Sequence, residues 1–296
     1  MSAVAPQAPP APPVAQVHPG RRFVGPTAFG QDWARFWRLS WTLAITDFKL
    51  RFFGSALGYL WQLMRPLLLF GVIYIVFAEI LKVGGNEPNF GVAMLLGVVI
   101  FQFFTDSTSA AVQSIVMREN LVRKIDFPRM AVPTACVIEA LMNFLLNLIP
   151  VFLFLMLAGG SVSPRWIELP LVIVLVLVFL SGCSMLLSAL YVRYRDVQPI
   201  WDVVMQALFY ATPILYSLSI VIEKVGITAA RILLISPLGA GIQQARHAVI
   251  DPSYASPSEV FGGMVYDLIP ISVAVVTFGI GLWVFVRAAP HIAEEL

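Results

Sequence analysis

Residues 169–192 read LPLVIVLVLVFLSGCSMLLSALYV and contain no charged side chain. An α-helix rises about 1.5 Å per residue, so roughly 20 apolar residues span the hydrocarbon core of a bilayer. The stretch therefore predicts a transmembrane helix, and it decides the fold class. Five further apolar stretches predict the remaining spans, at residues 66–81, 88–117, 131–159, 203–222 and 268–286.

The composition of the 296-residue chain agrees with this assignment. Hydrophobic residues make up 59% of the chain and charged residues 12%, whereas soluble domains carry about 25% charged residues. The mean hydropathy is +0.84. These values exclude a soluble globular enzyme, a disordered chain and a nucleic-acid binder. We predict an all-α integral membrane protein with six transmembrane helices.

One further apolar stretch is too short to cross the bilayer. Residues 232–245 are uncharged, but they contain Ser236-Pro237 and two glycines. A proline inside a helix removes a backbone donor and breaks the hydrogen-bonding pattern. The stretch therefore predicts a re-entrant or interfacial segment between spans five and six.

The distribution of basic residues predicts the orientation. With six spans, both termini lie on one side, and 14 of the 19 Lys and Arg residues fall on that side. Lys and Arg are enriched in cytoplasmic loops. The sequence therefore predicts a multi-pass protein of the cytoplasmic (inner) membrane with cytoplasmic N- and C-termini. The five basic residues expected outside are Lys82, Arg165, Lys224, Arg231 and Arg246.

The first 30 residues differ from the rest. They hold seven prolines and many alanines, a composition that cannot bury a core. We expect residues 1–30 to be a disordered cytoplasmic tail and residues 31–296 to be the transmembrane domain.

The segment 32–52 is both aromatic and charged, and at 100° per residue its side chains separate into two faces. Such a helix is typical of one lying in the membrane interface. The alternative is a cytoplasmic helix packed on the bundle. Asp47 and Arg51 break the pattern. The aromatic face holds Trp33, Trp37, Trp41, Ala44, Phe48 and Phe52, and the polar face holds Arg35, Arg38, Thr42, Thr46 and Lys49.

The sequence predicts neither a catalytic site nor a metal site. It contains no GxxxxGK[ST] motif, the P-loop that binds nucleotide phosphates. Its three histidines are far apart, and Cys136 and Cys183 lie in apolar runs. The spans contain three carboxylates, Glu79, Asp106 and Glu139. Such groups face a cavity or a partner, so we expect a passage or a helix contact rather than the alternative, a proton relay.

Three stretches carry a resemblance to a known family. The first is Leu57-Gly58-Tyr59-Leu60-Trp61 followed by Pro66, and the second is residues 119–129, ENLVRKIDFPR, followed by Pro133. The third is residues 194–197, YRDV, with Gln206, Phe209-Tyr210 and residues 212–216, TPILY. A weaker fourth is Ser236-Pro237-Leu238 with Arg246, where Ser236 replaces the usual Asn. In this order the chain resembles the ABC type-2 permeases that export polysaccharides such as O-antigen, capsule, teichoic acid or galactan.

The resemblance implies a half-transporter with short re-entrant helices between spans five and six. A second copy of the chain would complete the pathway, and two copies of a separate ABC ATPase would bind ATP and Mg. The permease itself would hold no cofactor. Its substrate would be a lipid-linked glycan in contact with membrane lipid, with no role for nucleic acid. Residues 117–129 would couple the ATPase to the membrane, although the basic residues alone also suit a topology signal. The coupling residues implied are Glu119, Asn120, Leu121, Arg123, Lys124, Phe127, Pro128 and Arg129.

Sugars stack on aromatic faces and bond to polar groups, so the expected translocation path is aromatic and polar. For each phenylalanine, packing in the core is the competing explanation. Two other functions remain as alternatives: an ABC type-2 exporter of drugs or small lipids, and a membrane-embedded glycosyltransferase. The path candidates are Trp61, Phe101, Phe103, Phe104, Asp106, Glu139, Phe209, Tyr210 and Tyr216.

Overall fold

The computed structural model describes residues 28–29, 32–52, 58–81, 87–122, 127–160 and 163–292. All regular elements in these ranges are helical, which confirms the all-α prediction. Short π-helical turns, Ile75–Ile80 and Arg246–Ile250, continue α2 and α10. The α-helices are α1 (Trp33–Phe52), α2 (Gly58–Tyr74), α3 (Phe90–Met117), α4 (Glu119–Val122), α5 (Ala131–Leu157), α6 (Glu168–Arg193), α7 (Val197–Ala211), α8 (Leu218–Lys224), α9 (Ile227–Ile235), α10 (Pro237–Ala245), α11 (Pro257–Phe261) and α12 (Leu268–Ala288).

Four helical segments in the described residues are long and apolar enough to cross a membrane. They are Phe90–Met117, Ala131–Leu157, Pro164–Arg193 and Val265–Ala288, and they match four of the six predicted spans. The predicted first span, 66–81, corresponds to α2 and its π-helical turn, but the apolar part of this helix, Pro66–Phe77, is shorter.

The prediction of one continuous helix over 203–222 is wrong. Helix α7 ends at Ala211, and Thr212 adopts an extended conformation with φ −80° and ψ 142°. The next helix, α8, begins at Leu218. The break has a simple cause, because Pro213 lacks the N–H that a continuing helix would need and its ring would clash with the preceding turn.

Helix α7 nevertheless runs along much of α3. Near the start of α7, the indole Nε1 of Trp201 donates to Thr108 Oγ1 at 3.1 Å. Two turns later, the rings of Phe209 and Phe101 meet edge to face, with centroids 5.2 Å apart. Since α7 residue numbers rise as α3 numbers fall, the two helices are antiparallel. Helix α7 thus lies against α3 at least from Thr108 to Phe101 before the break.

The bundle has two distinct ends. At one, Phe127 and Met130 pack with Val192 of α6 and Phe285 of α12; we call it the Arg129 end. Here Met130 N–H donates to the Ala28 carbonyl at 3.0 Å. Ala28 is buried, so packing begins within the stretch predicted as a disordered tail. Residues 1–27, 30 and 31 lie outside the described residues.

At the opposite end, which we call the Arg246 end, the starts of α3, α6 and α12 meet the short helices α8 to α11. Tyr254 O–H donates to the Pro88 carbonyl at 2.9 Å, and burial raises the pKa of this phenol, so it stays protonated. Helices α9 and α10 are separated at Ser236-Pro237, as the sequence indicates. The break within 232–245 is confirmed, and re-entry into the membrane stays a prediction.

Helices α6 and α12 approach each other more closely than ordinary side chains permit. A Cβ at Gly182 would lie 2.6 Å from the Phe278 Cα, and one at Gly281 would collide with the Gly182 carbonyl oxygen. Small residues at such contacts allow backbones to pack in membrane bundles. The two glycines therefore fix how α12 sits on α6.

Candidate functional site

Two ion pairs fasten α1 to the bundle. Arg51 Nη2 lies 3.0 Å from Glu139 Oε1 of α5, and Arg118, at the end of α3, donates to Asp47. Asp47 and Arg51 are the two residues that break the amphipathic pattern of 32–52. Each does so because it forms an ion pair with the bundle, Asp47 with Arg118 and Arg51 with Glu139. Glu139 is buried at this helix contact, and its place on a translocation path stays a prediction. The ion pair with Arg51 is a helix contact of the kind expected for an intramembrane carboxylate.

The aromatic face of α1 points away from the bundle. Trp33, Trp37 and Trp41 are 58%, 46% and 52% exposed, and Phe48 is half-buried. Ala44, predicted on the same face, is instead fully buried against Ala135 and Ile138. One side of α1 thus packs on α5 while the other presents three tryptophans, the surface that a membrane-interface helix exposes.

The predicted coupling segment divides into an exposed part and an anchored part. Asn120 on α4 is exposed, and Glu119 and Leu121 are half-buried. Arg123 and Lys124 lie outside the described residues. Their role in coupling to an ATPase therefore stays a prediction.

The end of this segment is held inside the bundle. Phe127, Pro128 and Arg129 are buried, and Arg129 Nη1 donates to the Ala289 carbonyl at the end of α12. Arginine commonly satisfies the last carbonyls of a helix in this way. The guanidinium of Arg129 is thus an internal anchor, and its pairing with an ATPase stays a prediction.

Arg246 anchors the opposite end of the bundle. Its side chain is fully buried and donates to three carbonyls: Ala93 O at 3.1 Å, Pro213 O at 2.6 Å and Ile214 O at 2.8 Å. Two of these carbonyls belong to the break after α7, where no helical N–H reaches them. A planar guanidinium with several fixed donors suits such a set. Arg246 thus stabilises the break and ties it to α3.

Helix α7 presents a face with both polar and apolar groups that no other described part of the chain covers. Val203 and Tyr210 are 65% and 66% exposed, and Gln206 between them is also exposed. Nearby on α3, Gln102 Nε2 donates to Asp106 Oδ1 at 2.6 Å. Exposed amide and phenol groups are costly against hydrocarbon. This face therefore suits a protein partner or a hydrated passage.

The remaining aromatic candidates divide between packing and this face. Phe104 is 1% exposed and its ring stacks on that of Phe179, with centroids 5.3 Å apart. Core packing, the competing explanation, accounts for its position, and its place on the path stays a prediction. Phe101 and Phe103 are also buried. Phe209 is half-buried. The side chains of Trp61 and Glu79 lie outside what the structure describes.

Tyr216 has a local structural role. Its hydroxyl donates to the Ala211 carbonyl at 3.0 Å, which satisfies an orphan acceptor at the end of α7. The hydrogen bonds of Arg246 and Gln102 are two features of the site that the sequence patterns above do not predict. The signal for Gln102 was its position four residues before Asp106, the spacing at which helical side chains meet.

Comparison with known proteins finds a family match and similar relatives. Residues 38–250 match the family described as ABC-2 type transporter. The chain is 33% identical over 185 residues to the O-antigen export system permease protein RfbA of Myxococcus xanthus, covering 62% of this chain and 70% of that protein. It is 30% identical over 179 residues to the protein of that name from Klebsiella pneumoniae, covering 60% and 68%.

Proposed function

Because the chain belongs to the ABC-2 type transporter family, we propose that it is the transmembrane permease subunit of an ATP-driven exporter of lipid-linked polysaccharide. The relatives' names, O-antigen export system permease, favour a cell-envelope glycan over a drug or small lipid. Family membership also favours transport over glycosyl transfer. The observation that carries the proposal is the exposed α7 face with Gln206 and Tyr210.

A second copy of the chain would cover this face. The exposed row of Val203, Gln206 and Tyr210 has the spacing of one helical stripe. Its polar groups could hydrogen-bond the hydroxyls of a passing glycan, while its apolar groups could contact the partner. Two chains with facing α7 helices would therefore form a homodimer with the passage between them.

The ATPase would bind at the Arg129 end. This end carries the exposed Asn120 of α4. The two ion pairs hold α1 against the bundle beside this end. A displacement of α4 would pass through buried Phe127 and Arg129 to the end of α12. ATP and Mg would be held by the ATPase and not by this chain.

This arrangement makes the Arg129 end cytoplasmic and the Arg246 end external, with six passes. Helix α2 and the broken α7 segment would be the first and fifth passes, and α9 with α10 would be the re-entrant pair. Cysteines at Asn120 and Ser163 test the orientation, because both natural cysteines are buried. In intact cells an impermeant thiol reagent should label position 163 and not position 120. The reverse pattern contradicts the proposal.

The function is tested with two matched valines. Val203 on α7 and Val276 on α12 are 65% and 57% exposed, and each is replaced by cysteine. In cells, a bulky thiol reagent should stop glycan export for Val203→Cys and spare Val276→Cys. Oxidation should cross-link only the Val203→Cys chains into dimers. Unimpaired export by the modified Val203→Cys variant would contradict the proposed passage.

A further inference from the structure

Two asparagines lie inside the bundle near the middle of α5. Asn143 and Asn147 are four residues apart, so they share one face of the helix, and they are 1% and 3% exposed. Helix α5 is long and apolar enough to cross a membrane, and a primary amide is costly at that depth unless it forms hydrogen bonds. Packing alone would favour apolar side chains at both positions.

The side chains of both asparagines are left with unsatisfied polar atoms. Oδ1 and Nδ2 of Asn143 are sheltered from solvent and have no hydrogen-bond partner among the described residues, and the same holds for Asn147 Oδ1. Most buried polar groups in folded proteins have partners, so three such atoms on one helical face need an explanation. Protein covers them in this arrangement. A ligand can therefore reach them only after a neighbouring helix has moved.

The contact between α3 and α5 locates this face. Phe103 of α3 stacks on Phe144 of α5, with ring centroids 4.7 Å apart. Gln102 and Asp106 stand one residue before and three residues after Phe103, and the two asparagines have the same offsets from Phe144. Helix α3 ends and α5 begins at the Arg129 end, so the helices are antiparallel. Equal offsets then place both polar pairs on the same side of the stacked rings.

Helix α2 lies on this side. Among the described helices, α2 and α6 pack on both α3 and α5. Phe104, one residue after the stacked ring of α3, itself stacks on Phe179 of α6, so α6 is on the opposite side. The asparagines are therefore beneath α2. The α2 side chains that pack on the core include Leu67, Phe70 and Ile73, which cannot form hydrogen bonds with an amide.

The backbone of α2 has two places at which it can bend. Pro66 lies inside the helix and lacks the N–H of a regular turn, and the π-helical turn Ile75–Ile80 continues its end. Both features allow a helix to change direction. Helix α7, in contrast, is held to α3 near both of its ends, by Trp201 and through Arg246. Movement of α2 is therefore the easier way to uncover the asparagines.

We propose that Asn143 and Asn147 form a glycan-binding subsite, which α2 covers at rest and uncovers during transport. The inference rests on the proposed export function. Gln102 and Asp106, partly exposed beside the α7 face, extend the polar surface of that face towards the asparagines. Each amide can donate to a sugar hydroxyl and accept from another. A neutral chain rich in hydroxyl groups therefore suits the subsite better than an apolar drug.

Reaction with a thiol reagent tests whether α2 uncovers the subsite. In proteoliposomes that hold the chain with its cognate ATPase, Asn143→Cys should react with a small hydrophilic reagent about tenfold faster during ATP hydrolysis than without ATP. Leu148→Cys is the matched control, because Leu148 is 5% exposed on the same helix and packs in the main core. Its rate should stay low in both states. The reaction of the natural cysteines, both buried, is subtracted. An equal rate at Asn143→Cys with and without ATP would overturn the proposal.

Thermal unfolding of the purified chain in detergent tests the unsatisfied amides. Leucine resembles asparagine in shape and needs no hydrogen bond, so changing both asparagines to leucine should raise the unfolding midpoint by a few degrees. Asn120→Leu, at an exposed asparagine of α4, controls for the substitution and should not raise it. An unchanged or lowered midpoint in the double variant contradicts the inference. If the double variant does not fold, the labelling of Asn143→Cys decides alone.

Export distinguishes this inference from the proposed function. The Asn143→Leu/Asn147→Leu variant should export the lipid-linked glycan about tenfold more slowly than the natural chain, since hydrogen bonds to the glycan are lost, while ATP hydrolysis continues. Export at the natural rate by this variant overturns the inference and leaves the proposed function intact. Absence of export by the natural chain contradicts the proposed function itself.

Discussion

Arg51 of α1 reaches Glu139 of α5 across 3.0 Å and neutralises a carboxylate that is otherwise buried in the bundle. The pair joins the helix that carries the exposed tryptophans to a helix long enough to cross the membrane. It therefore links a surface element to the transmembrane core.

Replacing Arg51 alone should lower the free energy of unfolding more than replacing Arg51 and Glu139 together. Arg51→Met leaves Glu139 buried without a cation, and we expect a loss of roughly 1–3 kcal/mol, below the value for a fully buried pair because Arg51 is partly exposed. Adding Glu139→Gln should recover part of that loss. Thermal unfolding of the three variants in detergent measures this coupling. Additive losses in the double variant would show that the pair does not stabilise the α1–α5 contact.

The fold was predictable where one rule dominated. Uncharged runs such as 169–192 predicted span-length helices because few soluble structures can bury them. The interval 203–222 looked equally apolar, but Pro213 interrupts the helix. Buried Arg246 then donates hydrogen bonds to the carbonyls of Pro213 and Ile214 at the break. The first of these bonds joins residues 33 positions apart, which no local pattern reveals.

The candidate site was predictable only in part. The faces of α1 followed from periodicity, whereas Ala44 was misplaced because a small residue suits either face. Glu139 and Arg129 looked like functional charges in the sequence. Their partners, Arg51 and the Ala289 carbonyl, lie on distant elements, so only the fold shows that both charges are internal links.

The break after α7 should depend on Arg246. Arg246→Gln leaves three carbonyls with at most two donors, and we expect the free energy of unfolding to fall by an amount on the order of 3–5 kcal/mol. Arg231→Gln is the control, since Arg231 is exposed and makes one such bond, to Val260 O at 3.0 Å. Thermal unfolding and limited proteolysis near residues 212–217 give the readout. Equal stability of the two variants would contradict the anchoring role.

The α6–α12 contact should have no room for even one added methyl group. Gly281→Ala would press a Cβ against the Gly182 carbonyl oxygen, and overpacking of this kind costs roughly 1–3 kcal/mol. Gly279→Ala, on the same helix with open space around its Cβ, should be neutral or slightly stabilising. Unfolding midpoints compare the two. If Gly281→Ala is as stable as Gly279→Ala, the close approach is not required.

The coupling segment should tolerate charge reversal structurally but not functionally. Arg123 and Lys124 are changed together to Glu, which should weaken ATPase binding by a few kcal/mol through lost attraction and new repulsion. Membrane insertion should persist, and lipid-linked glycan should accumulate inside the cell. Arg193 and Arg195, both exposed near the end of α6, are reversed as the control for charge and topology. Normal export by the Arg123/Lys124 variant would exclude this segment as the coupling element.

We propose that this chain moves a lipid-linked polysaccharide when a separate ATPase supplies the work. The most direct measurement uses proteoliposomes that contain the purified chain with its cognate ATPase and a labelled lipid-linked glycan on the outer leaflet. Transfer of the label to the lumen should require ATP, the ATPase and this chain together. It should stop when a bulky thiol reagent modifies Val203→Cys, and continue when the same reagent modifies Val276→Cys. Transfer at the full rate without the ATPase, or no transfer when all components are present, would contradict the account.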